Sequence, residues 1–168
     1  MTRQPITLVL DNIRSAQNVG SLWRTADAAG IEAIWLCGLT PHPERAQDPR
    51  PAYARDRATK LIAKTALGAE QSLPWRYFET AAEAVAELEQ TGRHVWALEQ
   101  ADDSVNLFAC PVPALPLGLI VGHERGGVNP NLLSRVDQIL EIPMFGHKES
   151  LNVAVAGGIA LYWLVSKL

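Results

Sequence analysis

Short apolar runs punctuate the chain, and polar or glycine residues stop most of them. Residues 6–10 run apolar into Asp11-Asn12, residues 117–121 into Gly122, and residues 139–142 into Pro143. Residues 31–36, 73–78 and 94–98 make three further runs. Runs of this length between such stops predict buried strands. Between them the period changes. Val19, Leu22, Trp23 and Ala26 follow i, i+3, i+4, i+7, which predicts an amphipathic helix, with Gly30 at its left-handed end. Residues 13–18 read as the loop leading into it. Thr80-Ala81-Ala82-Glu83 is a capping box opening a helix to about Thr91, ended by Gly92. Asn129-Pro130 places an N-cap before a proline at the first helical position. Ser150-Leu151-Asn152 opens a long apolar helix to the end of the chain. Strand alternating with helix predicts an α/β domain with a mainly parallel sheet covered by helices on both faces.

Two consequences follow from this pattern. The strand ends at Leu98-Glu99, Gly122-His123-Glu124 and Ile142-Pro143-Met144 and the helix start at Ser150-Leu151-Asn152 are expected to converge on one pocket. In open α/β sheets ligands sit beyond the carboxyl ends of the strands, and helix N-termini offer free N–H groups. The last helix carries Leu151, Val153, Val155, Ile159, Leu161, Tyr162, Trp163, Leu164 and Val165 on nearly every side. It is expected to be buried all round, part of it against a partner subunit.

Composition narrows the class. At 168 residues, 48% hydrophobic and 20% charged, residues 1–168 are expected to form a single globular domain, with no separate RNA-binding domain. No apolar run approaches a membrane span, and the first residues are too weakly apolar for a signal peptide. Cys37 and Cys110 sit in apolar contexts and read as reduced core thiols of a cytoplasmic protein. No Cys/His spacing suggests a metal site. The net charge of −3 is unevenly spread. Residues 1–64 hold nine Lys/Arg against six Asp/Glu, while residues 70–103 hold two against eight. A local basic surface can bind phosphates on an acidic protein. Residues 41–51, PHPERAQDPRP, cannot be regular structure. This loop and its continuation carry Arg45, Arg50, Arg55, Arg57, Lys60 and Lys64. With Arg14 they form the candidate RNA-facing surface, where Tyr53 could stack on a base.

The candidate chemistry lies in the last third. The glycine-rich turn at 122–127 is no P-loop, because Val128 stands where a lysine must reach the phosphates. No GxGxxG is present, so a dinucleotide site has no support. The residues alone leave a nucleotide-like or small-molecule pocket. Three blocks go further: Gly122-His123-Glu124-Arg125-Gly126-Gly127-Val128, then Ile142-Pro143-Met144, then Ser150-Leu151-Asn152-Val153. In order, spacing and identity they resemble motifs two and three of the SpoU (TrmH-like) RNA ribose methyltransferases of the SPOUT superfamily. Asn18, Gly20, Arg24 and Ala28-Ala29-Gly30 resemble motif one. The chain departs modestly, with His123 in place of a small residue and Ala154 where serine is frequent.

The resemblance implies a SPOUT fold with a C-terminal trefoil knot, a homodimer, and S-adenosylmethionine as cofactor in the knot. It implies transfer of a methyl group to a ribose 2′-hydroxyl of tRNA or rRNA. Arg24, Asn18, Glu124, Ser150 and Asn152 are then the catalytic candidates. Leu98, Glu99, Gly122, His123, Glu124, Ile142, Pro143, Met144, Ser150, Leu151 and Asn152 would hold the cofactor. Arg14, Arg24, Arg50, Arg55 and Arg57 would contact RNA. Two alternatives stay open: a non-catalytic RNA-binding SPOUT module, and a SPOUT enzyme acting on a base or wobble nucleotide.

Overall fold

A computed structural model describes residues 2–168. In chain order the elements are β1 Gln4–Asp11, α1 Ala16–Ala28, β2 Ile31–Cys37, α2 Ala52–Ala66, α3 Ala69–Ser72, β3 Trp75–Phe78, α4 Ala81–Gln90, β4 His94–Leu98, β5 Val105–Asn106, β6 Leu117–Val121, α5 Pro130–Leu133, β7 Gln138–Glu141 and α6 Val153–Ser166. The strands form one seven-stranded sheet in the order β3-β2-β1-β6-β4-β7-β5. Every pairing is parallel.

Parallel strands must be buried on both faces, and the side chains alternate accordingly. Ile6, Leu8 and Leu10 of β1 and Leu117, Leu119 and Val121 of β6 point into a core shared with α1, α2 and α6. Val9, Val95, Ala97 and Ile120 point to the other face, where α4 and α5 supply Val85, Leu88 and Leu132. At Gly118 an added Cβ would stand 2.5 Å from Leu88, so α4 rests directly on the backbone of β6.

Several boundaries differ from the sequence expectation. Helix α1 starts at Ala16, not after residue 18, because the Ser15 side chain accepts from the Asn18 N–H and caps it. The stretch after residue 51 is a 15-residue helix, α2. Its apolar signal is weak because only Ile62 and Ala66 are fully buried. The run at 73–78 orders as a strand only from Trp75, since α3 occupies the residues just before it. The seventh strand is shifted by one residue and ends at Glu141. Helix α6 is not buried all round in the single chain: Val155 is 51% and Tyr162 53% exposed, so one apolar face lacks cover.

Gly20 shows why α1 and α2 lie so close. A Cβ there would meet Thr65 Oγ1 at 2.1 Å and the Ile62 carbonyl oxygen at 2.4 Å. The helix accepts a glycine because a second backbone passes against it.

Candidate active site

Strands β1, β6, β4 and β7 are neighbours, so their carboxyl ends form one continuous edge. Four loops leave that edge. The loop after β6 is the most constrained. An added Cβ at Gly122 would lie 2.4 Å from the Gly127 carbonyl carbon and the Val128 nitrogen. His123 and Gly127 exchange both backbone hydrogen bonds, at 3.2 and 2.9 Å. The His123 Nδ1 accepts from the N–H groups of Arg125 and Gly126 at 3.0 and 2.9 Å. Gly127 has φ +64°, and a side chain there would collide with the Glu99 carboxylate. That carboxylate accepts the Val128 N–H at 2.8 Å and the Gln100 N–H at 2.9 Å. Glu99, at the end of β4, is therefore the clamp that closes the loop after β6.

Glu124 projects from this loop to the start of α1. It accepts from the Arg14 and Ser15 backbone N–H groups and from Asn18 Nδ2, each at 3.1 Å. A carboxylate is favoured at a helix N-terminus, where N–H groups are free. Partial burial pushes its pKa up, but the Arg14, Asn18 and Ser15 donors outweigh burial and hold it below the ordinary glutamate value. The Asn18 side-chain Oδ1 accepts from Asn152 Nδ2 at 3.2 Å. Asn152 in turn caps α6 by accepting from the Ala154 and Val155 N–H groups. A hydrogen-bonded chain Glu124–Asn18–Asn152 thus ties the β6 loop, α1 and α6 together.

Beside this chain lies a cavity of about 250 Å³. Leu98, Glu99, Gly122, His123, Glu124, Ile142, Met144, Ser150 and Leu151 line it, as the sequence placed them. Pro143 faces a neighbouring apolar groove with Phe108 and Phe145 instead. Asn152 serves as the helix cap and is not part of the lining. Arg125, Gly127 and Val153, which stand in the motif blocks but were not named as cofactor contacts, also line the cavity, as do Glu141 and Ala156, which the sequence did not single out. The last residue of a strand was a usable signal for Glu141. For Val153 and Ala156 the signal was their position in the first turn of α6. Three glutamates, Glu99, Glu124 and Glu141, and one arginine, Arg125, are among the lining residues. The charged lining is net negative, while Leu98, Ile142, Met144 and Leu151 give it apolar walls.

Arg24 is not in this cavity. Six residues beyond Asn18 on a helix means about 9 Å along the axis and about 120° around it. It lines a separate groove with Ser21, Thr25, Lys64 and Tyr162. The other basic candidates divide. Arg14 is exposed at the lip beside Glu124 and Arg125. Arg50 is engaged inside the 41–51 loop: its Nε donates to Asp48 at 2.9 Å and its Nη1 to the His42 carbonyl at 3.1 Å. That hydrogen bonding holds the Asp48 pKa well below the carboxylate range. Arg55 pairs with Glu44 at 2.9 Å, and Arg45 lies over the Tyr77 ring. Arg57 is exposed. Cys37 and Cys110 are buried free thiols. No helix among the described residues is long and apolar enough to cross a membrane.

The family model described as the SpoU rRNA Methylase family matches residues 5–162. A Haemophilus influenzae 23S rRNA (guanosine-2′-O-)-methyltransferase, RlmB, is 30% identical over 163 residues. The match takes in 97% of this chain and 60% of that protein, so the chain spans about three fifths of the curated relative's length. Among solved structures, an AdoMet-bound rRNA methyltransferase from Sinorhizobium meliloti superposes with a TM-score of 0.79 at 27% identity, over 97% of this chain and 56% of that one. A structure described as giving insight into the 2-OH methylation of C/U34 on tRNA has a TM-score of 0.73 at 28% identity. It is covered almost end to end, 96% of this chain against 95% of that one.

Proposed function

The chain belongs to the SpoU rRNA methylase family, and from that premise we propose that it transfers a methyl group from S-adenosylmethionine to a ribose 2′-hydroxyl of RNA. The observation that carries this reading is the Glu124–Asn18–Asn152 chain at the lip of an electronegative, apolar-walled cavity. The cavity's chemistry fits the cofactor. An excess of carboxylates suits a sulfonium cation, and Leu98, Ile142, Met144 and Leu151 suit a flat heterocycle. Bound there, S-adenosylmethionine supplies an electrophilic methyl group.

The protein's own residues then have distinct tasks. Glu124 is a poor proton acceptor, since three donors already occupy its oxygens and its pKa is depressed. It holds Asn18 and the start of α1 in place, while Ser150 and Asn152 fix the start of α6. Arg24 carries the positive charge that steadies the developing ribose alkoxide and binds an adjacent phosphate. A free guanidinium is too weak a base to take the proton itself, so the hydroxyl proton is released to solvent at the open rim of the cavity as the O–C bond forms, the C–S bond breaks and S-adenosylhomocysteine departs. Away from that rim, the apolar walls strengthen the attraction between alkoxide and sulfonium.

Arg24 lies outside the cavity of its own chain, on the side where α6 exposes Val155 and Tyr162. We place the two-fold pairing of a homodimer on that uncovered apolar face, with Arg24 and its groove at the rim of the face, open to RNA and next to the cavity of the other subunit. The same reading has the chain after β6 threaded as a trefoil knot and the enzyme working in the cytoplasm. Radiolabelled methyl transfer to bulk RNA, followed by nucleoside mass spectrometry, tests the function. 2′-O-methylated nucleosides are expected. RNA binding without transfer would favour the non-catalytic module, and a methylated base would favour other SPOUT chemistry.

The likenesses name both RNA classes: one solved structure is an rRNA methyltransferase at 27% identity, and another concerns 2-OH methylation of C/U34 on tRNA at 28%. The acceptor is therefore a ribose of tRNA or rRNA, and mass spectrometry of both RNAs from cells lacking the protein shows which one loses a 2′-O-methyl group.

A further inference from the structure

The groove that holds Arg24 has a composition unlike the rest of this acidic chain. Its lining joins Arg24 of α1 to Lys64 of α2, with hydroxyls from Ser21, Thr25 and Thr65 and the ring of Tyr162, and includes no carboxylate. The nearby Asp27 is paired to Arg3 at 2.7 Å. Lys64 sits in the last turn of α2 and offsets that helix's negative end. Arg24 has no such explanation, because the last turn of α1 holds no basic residue. With helix C-termini bordering the groove, an anion there would be held by these two cations rather than by backbone N–H groups.

The groove is one end of a longer feature. On α2, Tyr53, Arg57, Lys60 and Lys64 are spaced four, three and four residues apart, which puts them on one face. All four are exposed, Tyr53 by 77%. Arg57 and Lys64 have no ion-pair partner among the described residues, and Lys60 makes only an exposed pair with Asp56. The neighbouring arginines are differently placed. In the loop, Arg50 is locked to Asp48 and His42 and Arg45 covers Tyr77, while Arg55, on another face of α2, pairs with Glu44. The available positive charge thus lies on the exposed face of α2 rather than in the loop. From Tyr53 to Lys64 the face is about 16 Å long, at ~1.5 Å per residue, enough for a few nucleotides.

We propose that the α2 face Tyr53–Arg57–Lys60 is a track for the RNA phosphodiester backbone, ending in a phosphate site between Lys64 and Arg24. Tyr53 stacks on a base at the far end. The track delivers a single-stranded segment to Arg24, so the inference rests on the RNA methyltransferase reading and adds its substrate-binding surface.

The test is tRNA binding by the whole 168-residue chain across a salt series, with bulk tRNA as the probe. Each lost phosphate contact reduces the slope of log K against log salt by about 0.7 on a single strand. The triple variant R57Q/K60Q/K64Q is expected to reduce it by about 2. R135Q, which removes one charge on the far side of the sheet, is expected to leave the slope unchanged. Arg57→Gln alone is expected to raise KM for tRNA while kcat at saturation and cofactor affinity hold, the pattern of uniform binding lost. Tyr53→Ala should weaken binding about tenfold, and Tyr53→Phe should restore it. An unchanged slope in the triple variant would overturn the track, as would an equal fall per charge in R135Q. Slope loss in a protein that transfers no methyl group would support the track and overturn the methyltransferase reading.

Discussion

Replacing Gly20 by alanine sets two physical effects against each other. Alanine in a helix interior is favoured over glycine by about 1 kcal/mol. In an isolated α1 the change would stabilise. In the folded chain the new methyl would sit 2.4 Å from the Ile62 carbonyl oxygen and 3.0 Å from the Ala66 nitrogen. Ordinary C···O contacts are about 3.3–3.6 Å, so α2 must retreat by about 1 Å. The Thr65 hydroxyl, 2.1 Å away, can rotate, but only by leaving the Gln17 carbonyl to which it now donates. Overpacking of this kind costs about 1–3 kcal/mol, and contact with backbone puts it at the upper end. The net expectation is a loss of about 2 kcal/mol, or a fall in Tm of about 4–8 °C for a chain of this size. Thermal melts of the variant and wild type at one protein concentration decide the matter. A Gly20→Ala variant that melts at or above wild type would refute the close-packing argument.

Three further outcomes are expected. Arg24→Ala should lower turnover at least ~10²-fold with cofactor affinity kept, and Arg24→Lys should recover little, because a point charge does not replace a planar fork; single-turnover methylation of tRNA measures both. The folded-state pKa of Glu124 is depressed, so its contribution to stability is complete above its ordinary value of 4.5 and is lost as pH falls through the lower folded value. Urea midpoints followed downward from pH 5 should therefore fall more steeply for wild type than for Glu124→Gln, and parallel curves would contradict the assignment. Sedimentation at micromolar concentration should give twice the 18.3 kDa chain mass, and Tyr162→Glu should return the monomer.

Much of the site was legible because its residues terminate elements. Gly122, Glu99, Met144 and Asn152 each follow or precede a hydrophobic run, and a run's end is where sequence reading is informative. Helix α2 was not legible, because its outer face is basic and only two of its residues are fully buried. The separation of Arg24 from Asn18 was computable from helical geometry, but the groove that Arg24 shares with Lys64 and Tyr162 depends on how α1, α2 and α6 pack. The engagement of Arg50 with Asp48 and His42 depends on a loop path that local sequence does not specify. The role of Glu99 was hidden for a related reason. It closes a turn nearly 30 residues further along the chain, and no periodicity reports such a contact.

The place of β6 between β1 and β4 has a consequence for the chain as it is made. Strand β1 is complete at Asp11, but the neighbour that closes its open side begins at Leu117. At roughly 5–20 residues per second, translation leaves that edge waiting for about 5 to 20 seconds. Through that wait β1, joined by β4 once Leu98 is made, presents unpaired N–H and C=O groups on a strand that is apolar on both faces. Such edges invite pairing with other chains. The nascent polypeptide is therefore most vulnerable in the interval before its last third emerges, and that same third brings both the missing strand and the residues of the site.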